Sequence, residues 1–152
     1  MPNKSLPEFF QDVADEKSIN RKAEILQENK TDGLLAILRS AFDSRIQWVV
    51  PESKPPFEEN PEKDWFKCEI HLEELALRLG RYCKFNGNLT AQAKAAGFRN
   101  LMECEADFIN TIKQMHTTEA DLLMDLINRR LPYKGLTPRV VNQAFPGLIP
   151  ES

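Results

Sequence analysis

No stretch of this sequence stays apolar for long. Its longest purely apolar runs are pieces such as Leu34-Leu35-Ala36-Ile37-Leu38, far short of the roughly 18 residues that span a bilayer. The first ten residues carry Glu8 and two prolines, where a secretory leader needs an unbroken apolar stretch. No membrane segment or leader is expected, and the chain reads as soluble and intracellular. Glycine is scarce, six in 152 residues, and none falls in a P-loop, a Rossmann pattern or a nucleophile elbow. The two histidines lie far apart in sequence and mark no Ser-His or Cys-His pair. Three cysteines, an odd number without disulfide-like separations, point to reduced thiols. Cys68 and His71 at i, i+3, with Glu74 and Cys83 nearby, come nearest to a metal site, yet no second ligand pair backs them. No catalytic residue, metal or cofactor is expected.

What is present suits a single helical domain over residues 1–152. The chain is 41% hydrophobic and 28% charged, too apolar for disorder and about the length one core serves. Apolar residues recur at helical spacing nearly throughout. Leu6, Phe9, Phe10 and Val13 predict a first helix ending near Glu16. Ser18 caps a second from Ile19 to Asn29, and a third starts after Asp32 and runs through Leu38 and Phe42. Trp48-Val49-Val50-Pro51 reads as extended. Residues 51–64 hold four prolines and five acidic residues, a Pro-rich acidic surface excursion within the domain. Trp48, Phe57 and Trp65 either pin that excursion to the core or form an exposed recognition patch. Helix is expected again from Trp65 to about Tyr82. Asn86-Gly87-Asn88 forms a turn, and Thr90 caps a short helix closed by Gly97. Further helices follow from Asn100 to Met115, from Thr118 to Arg130 with Thr117 or Thr118 as cap, and from Pro138 to Phe145. The expected class is all-α, irregular, with seven or eight helices.

Charge is uneven. The net is −3, yet residues 129–152 hold four basic side chains and one acidic. Arg129, Arg130, Lys134 and Arg139 supply that positive end, a local footprint that predicts weak, salt-sensitive phosphate contact. The run from Arg129 to Asn142 reads as helix end, tight loop, helix start. Gly135 can take positive φ, Thr137 is a good N-cap, and Pro138 suits the first helical position. The amides of Arg139 and Val140 then stand free for a phosphate oxygen, one donor fewer than usual because Pro138 has no N–H. Lys30-Thr31-Asp32-Gly33 matches the Lys-x-Asp-Gly signature of covalent nucleotidyl transfer. Here it joins two helices, with Asp32 as cap and Gly33 as turn residue, and no acidic metal-binding motifs surround it.

The run from Arg130 to Pro150 (RLPYKGLTPRVVNQAFPGLIP) resembles the end of the N-terminal DNA-binding domain of ATP-dependent DNA ligases, closest to those of T-even-like phages. Ala23-Glu24-Ile25-Leu26-Gln27-Glu28-Asn29-Lys30 with Leu34-Leu35 is similar to that domain's opening helical pair. The resemblance implies an all-helical module that grips the duplex backbone without reading sequence. It carries Arg130, Gly135 and Asn142 over as family-like positions, beside which Arg129, Lys134, Thr137 and Arg139 are added on chemical grounds. It further implies a free-standing, non-enzymatic phage protein acting in replication or repair in the cytoplasm of an infected bacterial host. The expected partner is double-stranded DNA, and no membrane. The alternative is a module of the same fold that docks a replication or host protein through the 51–64 segment.

Overall fold

The structure is a computed structural model that describes residues 5–43, 46–49, 64–128 and 131–149. It is dominated by helix. The first three helices, α1 (Leu6–Asp15), α2 (Ile19–Glu28) and α3 (Asp32–Phe42), follow one another through tight corners. Helices α2 and α3 each begin at a capping side chain. Ser18 Oγ accepts the Arg21 N–H at 3.3 Å, and Thr31 Oγ1 accepts the Leu34 N–H at 3.0 Å. Thr31, not Asp32, is therefore the α3 cap. Gly33 is not a turn residue either, for it sits in the first turn of α3, where a Cβ would lie 2.4 Å from the Glu73 carbonyl oxygen. It is glycine because another backbone passes that close.

The expected helix from Trp65 to Tyr82 is broken. A 3-10 helix spans Trp65–Lys67, the chain then runs extended to His71, α4 covers only Leu72–Leu75, and a second 3-10 helix follows over Ala76–Tyr82. The interruption has a non-local cause. Ile70 forms an isolated parallel bridge with Met115, and its N–H reaches the Gln114 carbonyl at 3.4 Å. Cys68 and His71 are thus the residues after one helix and before the next, and do not share a helical face.

The all-α expectation needs amending on either side of α4. Strands β1 (Gln47–Trp48), β2 (Cys83–Phe85) and β3 (Asn88–Leu89) make a small antiparallel sheet in the order β1-β2-β3. The extended reading at Trp48 holds, and the Asn86-Gly87 turn joins β2 to β3. Both turn residues have positive φ, 51° and 78°, as a two-residue hairpin loop requires.

Four helices complete the chain: α5 (Ala91–Ala95), α6 (Leu101–Ile112), α7 (Thr117–Ile127) and α8 (Pro138–Ala144). The α7 cap is His116, whose Nδ1 accepts the Thr118 N–H at 3.3 Å, not Thr117 or Thr118. That helix stops at Ile127, short of Arg130. It is buried nearly all round, through Leu122, Leu123, Met124, Leu126 and Ile127, and so runs through the core. One cluster of buried side chains extends from Leu6 through α7 to Ile149. Among the described residues no helix is long and apolar enough to cross a membrane.

Candidate functional site

The C-terminal corner is built as its residues dictate. Gly135 takes φ +89°, Thr137 Oγ1 accepts the Val140 N–H at 3.4 Å, and Pro138 opens α8. Val140 therefore spends its amide on its own cap, which leaves Arg139 as the only free N–H of the expected pair. Lys134, Thr137 and Arg139 are exposed. Asn142 is half-buried on α8, and its Oδ1 is buried without a hydrogen-bond partner, so it does not offer that oxygen outward. Arg129 and Arg130 lie outside the described residues, as do residues 51–63 of the Pro-rich excursion, Phe57 included.

A cation absent from the sequence reading anchors this corner. Lys22 of α2 is buried, and its Nζ donates to the Gly135 carbonyl at 3.3 Å. A Cβ on Gly135 would meet that Nζ at 2.1 Å. Helix α8 is held on α2 by Gln27 Nε2 donating to the Ala144 carbonyl at 2.9 Å and by Gln143 Nε2 donating to Asn20 Oδ1 at 2.7 Å. The two α2 acids, Glu24 and Glu28, are both paired with Arg21, at 3.0 and 3.1 Å, so α2 adds little unbalanced negative charge to this face. Tyr133 packs on Phe10 with ring centroids 5.7 Å apart, and burial pushes its hydroxyl up to about 12, assisted by Asp125.

A second constellation centres on Glu119 and Trp65. Glu119 is 0% exposed. Its Oε1 accepts the Leu72 N–H at 3.2 Å, which ties α7 to the start of α4. The Trp65 indole N–H and the Leu6 backbone N–H lie close enough to the carboxylate to favour its charged form, although Oε2 and Trp65 Nε1 fall short of full hydrogen-bond geometry. Burial raises the Glu119 pKa, opposed first by the Leu72 amide, then by Trp65, His71 and the Leu6 backbone. His71 stacks on Trp65 at 4.8 Å and 20°. Its Nε2 lies 2.9 Å from the Trp65 carbonyl, which can only accept, so that nitrogen carries the proton.

Three hollows open around this cluster. One of about 350 Å³ is lined by Ser5, Pro7, Glu8, Asp64, Trp65, Phe66, His116 and Thr118. A second of about 310 Å³, on Trp65 and His71, adds Asp32, Glu73, Glu74 and Leu77. The third, about 250 Å³, mixes Glu69, Glu74 and Asp107 with Arg78 and Arg81. Sequence reasoning placed Trp65 near the excursion but missed Glu119. The run Thr117-Thr118-Glu119 reads as an ordinary helix start, in which the glutamate serves its own helix.

Metal and thiol chemistry gain nothing from the geometry. Among the described residues no group of three or more His, Cys, Asp or Glu side chains is placed to hold an ion. None of the three cysteines is in a disulfide, and burial pushes the Cys83 thiol up to about 12, far from a nucleophile.

A model of a family of unknown function (DUF6433) matches residues 9–133 of the chain. The match takes in Trp65, His71 and Glu119 and ends just before Lys134. Among curated proteins no sequence matches significantly.

Proposed function

The chain belongs to the DUF6433 family, and we propose that it is a non-enzymatic module that contacts the phosphate backbone of duplex DNA through its C-terminal corner. One observation carries the reading: the loop at Gly135 closes over the buried Lys22 ammonium while Lys134 and Arg139 stand exposed beside it. Neither of these two forms an ion pair among the described residues, and no acidic residue occurs between 129 and 149. Phosphates meet a fixed positive loop there, and the resemblance to the ligase domain supports contact without sequence readout. Only one helix amide is available, so side-chain charge supplies the affinity. The same resemblance supports an accessory role in phage replication or repair.

The test is binding to nicked and intact duplex across a salt series, comparing wild type with Lys134→Ala/Arg139→Ala. The expected result is steep loss of affinity with salt and a slope flattened by about two contacts in the variant, each worth roughly 0.9 in log–log terms. Absence of binding at low salt overturns the reading. A variant that binds as wild type does overturns the site.

A further inference from the structure

We propose that the two hollows flanking Trp65 receive lysine or arginine side chains from a segment of a partner polypeptide. The inference stands apart from the DNA reading, since it concerns other residues and a ligand of opposite charge. Its first support is the sign of the lining. Glu8 and Asp64 line one hollow, and Asp32, Glu73 and Glu74 line the other. Among the described lining residues there is no lysine or arginine.

The second support is the shared wall. Trp65 lines both hollows, with Phe66 66% exposed and Leu77 60% exposed at their edges. A long basic side chain has an apolar stem and a charged tip, and this pairing of indole and leucine with carboxylates matches both parts. At about 350 and 310 Å³ the hollows fall at the small end of ligand sites, the scale of a side chain. The third hollow, which contains Arg78 and Arg81, lacks this sign and is not included.

The indole and the rim acids together select a basic side chain over an acidic or neutral one.

The experiment is a titration of the full chain with a hepta-lysine peptide, with hepta-glutamate as control, following the Trp65 indole N–H resonance. The expected result is a saturable shift with hepta-lysine alone. Glu73→Gln/Glu74→Gln should weaken binding about tenfold, while Asp15→Asn/Glu105→Gln, an equal change of charge elsewhere, stays within about twofold. Shifts that bypass Trp65, or equal losses in the two variants, would mean diffuse attraction to an acidic body and overturn the proposal. So would an unchanged affinity in Glu73→Gln/Glu74→Gln. An unshifted spectrum of each free variant verifies that both remain folded.

Discussion

Glu119 is where a single side chain most strongly shapes the behaviour of the molecule. Its carboxyl is buried and its pKa raised, mainly by desolvation, so the folded state holds the proton more tightly than the unfolded chain does. The stability this contributes is fully present below the unfolded value, about 4.3, and is lost as pH rises through the raised folded value. Glu119→Gln keeps an acceptor for the Leu72 N–H and removes the ionisation. The variant should therefore lose the decline in stability on that limb, read as urea midpoints across a pH series. Glu119→Leu should behave differently. It strands the Leu72 amide at a cost of about 1–3 kcal/mol at all pH values. Gly33 offers a second residue-scale test. Alanine normally favours a helix interior over glycine by about 1 kcal/mol, but here its Cβ would fall 2.4 Å from the Glu73 carbonyl oxygen. Gly33→Ala should lower the urea midpoint by the equivalent of about 1–3 kcal/mol. A stabilised variant would show that α3 and α4 separate without cost.

Among the elements, what was legible in the sequence is what is determined locally. Ser18, Thr90 and Thr137 each accept an amide three residues on, and their caps could be read because both partners lie within one turn. The hairpin turn at Asn86-Gly87 was legible for the same reason. The short strands beside it were not, since two or three residues carry too little alternation to register as β. The segment from Trp65 to Tyr82 misled because Ile70, Leu72, Leu75 and Leu79 suit helical spacing while the bridge from Ile70 to Met115 spans 45 residues. Glu119 misled in the same way, by serving Leu72 across 47 residues instead of its own helix. Local determination also makes α8 testable. Thr137→Ala removes the Val140 N–H acceptor and should cost about 1 kcal/mol. Hydrogen exchange at Val140 should quicken, while α7 keeps its protection. If α8 protection is unchanged, packing on α2 alone holds the helix and the cap is incidental.

At the scale of the whole molecule two regions of one charge sign stand out, a basic corner and a pair of acidic hollows, and only the first could be seen in the chain order. The basic corner draws Lys134 and Arg139 from one continuous stretch, with Lys22 added by packing. The acidic hollows collect Glu8 from α1, Asp32 from α3, Asp64 from the start of the first 3-10 helix and the adjacent Glu73 and Glu74 from α4, so no short window of sequence holds them all. Helix α1 links the two regions: Glu8 near its start lines one hollow, and the Ala14 carbonyl near its end lies 3.6 Å from where a Gly135 Cβ would be. At 1.5 Å per residue, the rise along that helix from Glu8 to Ala14 is about 9 Å. That is close to the Debye length of about 8 Å at 0.15 M salt and well inside the roughly 30 Å at 0.01 M. Glu8 should therefore repel DNA from the corner far more strongly when salt is low. Glu8→Gln should raise duplex affinity clearly at 0.01 M and only slightly at 0.15 M. An equal gain at both salts would mean that DNA approaches the hollows themselves, and the corner would then not be where it binds.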